Sequence, residues 1–292
     1  MYDIAKFQQA ISVAHALELL AADSKAMLIA GGSDVLIKLR DGHLSAANLV
    51  SIQGLSELKG VHLDRDKTLV IGSGLSFSDI CNDELIKQYV PVLAEAVAEV
   101  GGPQVRNIGT IGGNVCNGVT SADSAATLFA LNAWLRIAGP DGVRQIPISS
   151  FYKGPGKVDL RHGEILTAIL IKAEDYDGLA GRYIKFAMRS AMDIATLGCV
   201  VCCKVENGKT VSDFRLALGV AAPTPIRCHN TENLVKGKLF CKELLDSVGK
   251  TAVTEANPRT SWRATREFRL QLIEELSKRA FNEAFIRAGG VA

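Results

Sequence analysis

The sequence predicts an α+β protein built in two parts. Three observations carry this reading. Short apolar strands in the first part run into glycine pairs, strand-like runs in the second part are separated by a two-residue hairpin signal, and the chain closes on segments of helical periodicity. A chain of 292 residues exceeds a single compact core and suits two.

The elements follow in order. Ser12 is placed to cap a helix to Ala22, with Val13, Ala16, Leu17 and Leu20 at helical spacing. Met27 to Ala30 reads as a strand entering Gly31-Gly32-Ser33-Asp34, and Asn48 to Ile52 and Thr68 to Ile71 as two more. Gly72-Ser73-Gly74 follows the last of these. Ser76 or Ser78 then starts a helix to about Gln88, and Pro91 to Val100 forms another, ended by Gly101-Gly102-Pro103. Gln104 to Asn114 is read as a glycine-dense loop, and Ser121 as the cap of a helix from Ala122 to Leu131. Leu135 to Ala138 and Val143 to Ile146 flank the turn at Gly139 to Gly142, and Ile165 to Ile171 is a strand. Acidic residues and glycines crowd around Tyr176, which places the domain boundary there: 1–176 and 177–292. Beyond it Tyr183 to Met188, Asp193 to Glu206 and Val211 to Val220 are strand-like. The last two are joined by Asn207-Gly208, a two-residue hairpin turn. Cys241 to Glu255 and Ser261 to Ala288 read as helices; the second presents Phe268, Leu272, Ile273, Leu276, Phe281 and Phe285 on one face.

Charge is balanced, with 33 Lys and Arg against 31 Asp and Glu. Neither nucleic acid nor an anionic membrane surface is indicated as a partner. The segment Met1 to Ala10 lacks the apolar core of a secretory signal, and no apolar run approaches the roughly 18 residues of a membrane span. A cytoplasmic protein is expected. Seven cysteines, an odd number, fit reduced thiols. Their one cluster, Cys199-x2-Cys202-Cys203, lies in a strand-like apolar run and reads as core rather than as metal ligands. Cys116, beside a glycine loop, is the thiol to watch for oxidation. The five histidines show no zinc-type spacing, so no metal site is expected.

The glycine clusters are the chemically informative feature. A diphosphate can be held by main-chain N–H groups where the backbone comes close, and glycine permits that approach. Each charge-assisted bond contributes roughly 1.5–3 kcal/mol. Gly72-Ser73-Gly74 follows a strand and precedes a helix, but Phe77 occupies the third-glycine position of a dinucleotide fingerprint, which leaves a tight turn as the plainer reading. The P-loop pattern is absent. The other two clusters, at Gly31-Gly32 and Gly109 to Gly113, could each be a turn if taken singly; their order and content together are more specific.

Ala30-Gly31-Gly32-Ser33-Asp34-Val35-Leu36 resembles the first flavin-binding motif of the FAD subunits of molybdenum hydroxylases, and Arg106 to Val115 resembles the second nearly residue for residue. Ser121 to Leu131, Gly163-Glu164-Ile165-Leu166, and Tyr183 to Arg189 with Asp193 to Ala195 match three further landmarks, so the resemblance spans nearly the whole chain. It is nearest to the branch that includes the bacterial xanthine dehydrogenases. It implies a two-lobed FAD-binding domain of the vanillyl-alcohol-oxidase type, followed by a smaller α+β domain of the carbon-monoxide-dehydrogenase flavoprotein type. It also implies cofactor-binding residues. Met27, Leu28, Ile29, Ala30, Gly31, Gly32, Ser33 and Asp34 in the first motif would enclose the diphosphate with Gly109, Thr110, Ile111, Gly112, Gly113 and Asn114 in the second. Asp123 would contact the cofactor, Ile165 and Leu166 the flavin or adenine region, and Lys185 the isoalloxazine ring. On the residues alone, Asp123 equally suits stabilisation of a helix N-terminus, and Lys185 better suits a solvated lysine leaving a strand.

The function the resemblance implies is electron transfer. Electrons from purine oxidation at a molybdenum-cofactor subunit would pass through an iron–sulfur subunit to FAD on this chain and then to NAD⁺. A stand-alone FAD-dependent reductase of the same cofactor fold is the alternative, and a scaffold subunit without flavin a second.

Overall fold

The computed structural model describes residues 2–291. Ser12 adopts extended backbone and its hydroxyl accepts the His15 amide, which starts the helix Val13–Ala22. That helix carries the chain from β1 (Ile4–Gln9) to β2 (Ala26–Ile29). The strand β3 (Ala47–Ser51) then inserts between them to give a small parallel sheet of order β1-β3-β2. The first glycine pair lies at the end of β2.

A second lobe is built on β4 (Val61–Leu63), β5 (Leu69–Gly72), β6 (Trp134–Gly139) and β7 (Gly142–Pro147), then a short ribbon of β8 (Tyr152–Gly154) and β9 (Lys157–Val158), and finally β10 (Ile165–Ile171). All but the ribbon form an antiparallel sheet of order β4-β5-β10-β6-β7. The helices between Phe77 and Ala130 cover it. The remaining sheet runs β11 (Ala180–Phe186), β12 (Leu197–Glu206), β13 (Thr210–Gly219), β14 (Ile226–Arg227), with β15 (Lys238–Leu239) also on β13. Asn207 and Gly208 turn β12 into β13 with positive φ at both positions, 52° and 68°, the conformation their residue types favour.

The continuous apolar run of β12 has a clear cause: both faces of the strand are covered. Val200 and Cys202 point into the core of the second lobe, with Leu93, Ala125 and Phe129. Leu197, Cys199, Val201 and Cys203 point the other way, into a core closed by the helices Lys242–Glu255 and Arg266–Arg287. The three cysteines are therefore packing residues on alternate faces, as strand geometry requires.

Four local expectations are corrected. The segment to Gln88 is two helices, Phe77–Asn82 and Glu84–Tyr89, because the Asp83 side chain accepts the Ile86 amide and restarts the chain as a new N-cap. Gln104 to Asn114 is not a loop. Pro103 opens a helix to Ile108, and Thr110 caps another over Ile111–Cys116 through the Gly113 amide. Ser121 caps nothing; Ala122 holds the N-cap position of Asp123–Ala130. The last long helix begins at Arg266, not Ser261, with Thr265 accepting the Phe268 amide.

The two C-terminal helices cross at Gly249, where a Cβ would lie 2.7 Å from the Glu274 carbonyl oxygen. Gly249→Ala is expected to force them apart and cost about 1–3 kcal/mol. Urea unfolding reads the loss, and an unchanged midpoint would show that the crossing has slack.

Candidate functional site

Two glycine loops distant in sequence meet main chain to main chain. A Cβ on Gly31 would sit 1.8 Å from the Ile108 carbonyl oxygen and 3.1 Å from Gly109 Cα, so no other residue fits without moving the backbone. Gly32 has φ +74°, which turns the chain out of β2. Side chains reinforce the contact: Asn117 donates to Asp34 Oδ1 at 2.9 Å, and Lys38 donates to Asn117 Oδ1 at 3.2 Å. The middle cluster lies against the other side of the second motif. The Gly112 amide donates to Ser73 O at 2.8 Å, and the Ile111 amide to Leu75 O at 3.0 Å.

This arrangement divides the main-chain donors unevenly. In the second motif Gly109 donates to Val105, Ile111 to Leu75, Gly112 to Ser73, Gly113 to the Thr110 hydroxyl and Asn114 to the Thr110 carbonyl. Thr110 alone of that run has an N–H without an acceptor among the described residues. In the first motif none of the amides of Gly31, Gly32, Ser33 or Asp34 meets an acceptor among the described residues. The open donors thus belong to the first loop and Thr110. The glycines of the second motif serve close packing: a Cβ on Gly112 would stand 2.6 Å from Ser73 O.

A second focus lies at the start of the third sheet. Lys185 Nζ donates to Asp123 Oδ2 at 2.9 Å and to the Glu99 carbonyl at 2.8 Å, with both side chains below a tenth exposed. Tyr183, two residues earlier and so on the same face of β11, donates its hydroxyl to Asp123 Oδ1 at 2.7 Å. Both oxygens of the carboxylate are engaged. Burial still pushes the Asp123 carboxyl up to about 6, against the opposing pull of Lys185 and Tyr183. Lys185 borders a cavity of about 320 Å³ whose wall continues from Phe186 to Asp193 and includes Glu99. The strand is held against the helix Pro91–Ala98 by Glu95, which accepts from Arg182, from Arg287 Nη1 at 2.9 Å and from the Tyr183 amide at 3.2 Å.

The residues singled out from sequence therefore fall into groups. Asp123 and Lys185, 62 positions apart, form one ion pair. Met27, Leu28 and Ile29 lie in β2 and are mostly taken up by packing on its two faces. Ile165 and Leu166 are buried in separate cores, so only their main chain is available to a ligand. Glu164 fixes that strand end by a paired contact to Arg144, 2.8 Å from both Nε and Nη2. Sequence reasoning missed Tyr183, Glu95, Glu99, Lys38 and Asn117. Tyr183 was within reach, since a tyrosine two places before a strand lysine shares its face. Asn117 and the Glu99 carbonyl carry no such signal.

Comparison with known proteins settles the family. The model for the FAD binding domain in molybdopterin dehydrogenase matches residues 3–171, and that for the CO dehydrogenase flavoprotein C-terminal domain matches residues 182–284. The chain belongs to the FAD-binding family of the molybdopterin dehydrogenases. It is 42% identical to the xanthine dehydrogenase FAD-binding subunit of Escherichia coli O157:H7 over 99% of both chains. It is 31% identical to the carbon monoxide dehydrogenase medium chain of Hydrogenophaga pseudoflava, over 94% of this chain and 95% of that one. A solved structure of carbon monoxide dehydrogenase from the same organism superposes with a TM-score of 0.93, at 30% identity, over 98% of this chain and 99% of that chain.

FAD is accordingly the cofactor of this flavoprotein. Among the described residues no group of three or more His, Cys, Asp and Glu is placed to hold a metal ion, and no helix is long and apolar enough to cross a membrane. Cys116 is half-buried beside the glycine loop, and burial pushes its thiol up to about 12, which disfavours the thiolate; Cys241 is the exposed thiol.

The buried pair makes a pH prediction. The Asp123 carboxyl rises from 3.8 to about 6 on folding, so between these values the folded protein holds more protons on it than the unfolded chain does. Relative to Asp123→Asn, the wild type should lose stability as pH rises from about 4 to about 6, and level off above. Urea midpoints of both proteins across that window test this; a difference that grows with pH contradicts it.

Proposed function

We propose that this flavoprotein is the electron-transfer subunit of a xanthine dehydrogenase-type complex in the cytoplasm. It receives electrons from an iron–sulfur subunit, which is fed by a molybdenum-cofactor subunit that hydroxylates a purine, and delivers them to NAD⁺. The observation that carries the reading is the run of unspent amides from Gly31 to Asp34, set against Thr110 where the two glycine motifs touch. A diphosphate is the ligand such a run suits, because it presents several acceptors to donors that water alone would otherwise satisfy. Whole-length identity of 42% to a protein described as a xanthine dehydrogenase FAD-binding subunit supports the choice of complex.

The residues fit FAD in this arrangement. FAD, when bound, supplies exchange of electrons singly or as a hydride. The amides of Gly31, Gly32, Ser33, Asp34 and Thr110 would hold its diphosphate, with Gly109, Ile111, Gly112, Gly113 and Asn114 shaping the opposite wall. The main chain of Ile165 and Leu166 would border the ring or adenine end. Lys185 would present its ammonium at the cavity wall, favouring negative charge on a nearby ring. Asp123 and Tyr183 keep that ammonium in place, and Asp123 keeps it from being a buried charge without a partner. No side chain on this chain is assigned as a proton donor.

Two expectations test the proposal. The purified chain should retain about one FAD, and Gly31→Ala should weaken flavin binding at least tenfold, or about 1.4 kcal/mol. Flavin absorbance after gel filtration reads both, and a colourless wild type would remove the carrier. Purified with its partner subunits, the complex should contain iron and molybdenum and reduce NAD⁺ with xanthine or hypoxanthine. A complex holding both metals that reduces only oxygen or a dye would exclude NAD⁺ as acceptor.

A further inference from the structure

The turn before the last helix carries charge that the chain does not neutralise. Arg259, Arg263, Arg266 and Arg269 lie within eleven residues. None has a carboxylate within 4.0 Å among the described residues, although ion pairs occur on either side, at Lys236–Asp213 and Lys278–Glu274. Arg269 is 2% exposed and spends two donors on the Arg259 carbonyl and the Ser261 hydroxyl, at 3.0 and 2.9 Å; its Nε has no partner. The Nε of Arg263 is buried and unpartnered too. Glu267, the acid of this segment, is exposed and has none of the four guanidinium groups within 4.0 Å. Burial and the neighbouring arginines push the Arg269 guanidinium down, the mark of cations held together without a counter-charge.

The same turn displays an apolar anchor. Ser261 donates to the Ala264 carbonyl at 2.9 Å and closes a tight reversal, with Trp262 at its tip and 76% exposed. The Arg263 guanidinium lies 4.2 Å from the Trp262 ring centroid. Arg269 and the Thr260 hydroxyl, which accepts the Arg266 amide, hold the turn in shape, so little ordering cost remains for binding. Trp and Arg side by side on a fixed surface are the residue types that dominate protein–protein hot spots.

We propose that the turn Arg259–Arg269 is a docking surface for a carboxylate-rich face of a partner subunit, with Trp262 as its anchor. The proposal rests on the multi-subunit reading above. Charge complementarity selects the occupant: Arg259 and Arg266 are exposed and Arg263 half-buried, none with a carboxylate in contact, and they call for acids from outside. A small anion is disfavoured because Trp262 projects into solvent, whereas small-ligand sites are concave; the cavity beside Lys185 includes none of these residues. The location suits an electron donor. Phe268, in the first turn of the helix, packs edge-on against Phe186 at 5.7 Å, and Phe186 follows Lys185 along the cavity wall.

The test measures binding of the FAD-loaded chain to its co-expressed iron–sulfur and molybdenum subunits, for wild type, Trp262→Ala and the pair Arg259→Glu with Arg263→Glu. Both variants should bind at least tenfold more weakly, and the wild-type affinity should fall with added salt more steeply than that of the charge-reversed pair. Flavin content and the thermal midpoint should stay at wild-type values. Variants that assemble like wild type overturn the docking surface while leaving the subunit reading intact. So does normal assembly with a raised KM for NAD⁺, or weakened binding of inorganic phosphate, which would make the arginines a small-anion site. A wild-type chain that binds neither subunit overturns the multi-subunit reading and this proposal with it.

Discussion

The contact between Gly31 and the carbonyl of Ile108 is the constraint from which the rest of the site follows. With 1.8 Å between a would-be Cβ and that oxygen, the two backbones touch only because residue 31 has no side chain. The contact brings the end of a parallel lobe to the C-terminal end of the helix Pro103–Ile108 in the other lobe. It also decides which amides are spent. The second motif satisfies all its donors but Thr110 inside the protein, and the first keeps four in a row without an acceptor among the described residues. Close packing is common to both motifs, through Gly31 in one and Gly112 in the other, but only the first also leaves its run of donors open.

The third sheet supplies the other wall by a different logic. Its central strand β12 is sandwiched between two cores, so it cannot tilt without opening one of them. That rigidity passes to β11, which is paired to it along its whole length and clasped from the side by Glu95. Lys185 and Tyr183 ride on β11 and meet an aspartate from the first turn of a helix in the other domain. A buried lysine and a buried aspartate are each costly alone; together, with Tyr183 and the Glu99 carbonyl taking the remaining positions, they form a satisfied group that also fixes the relation of the two domains.

The arginine turn shows the converse. Where Asp123 and Lys185 neutralise each other inside the chain, Arg259 to Arg269 concentrate one sign of charge around an exposed tryptophan and leave it unanswered. The first arrangement is complete in the single chain; the second is complete only with something added. Phe186 links the two: it follows Lys185 along the cavity wall and packs against Phe268 of the helix that the arginine turn opens.

Patterns of local origin were readable from the amino acids alone. The Ser12 cap, the hairpin at Asn207-Gly208, the alternation of the three cysteines in β12 and the two flavin-type motifs all depend on neighbours a few residues apart, where periodicity and steric rules act directly. The helices at Pro103 and Thr110 escaped because dense glycine suggests a loop, and only packing against Ser73 and Gly31 pays the entropy of ordering it. The tertiary structure alone decided that Asp123 meets Lys185, that burial disfavours the Cys116 thiolate, and that the amides of one glycine motif are free while those of the other, Thr110 apart, are used. Each of these turns on which distant groups come together, and that is set by how the lobes close on one another rather than by any residue's own preference.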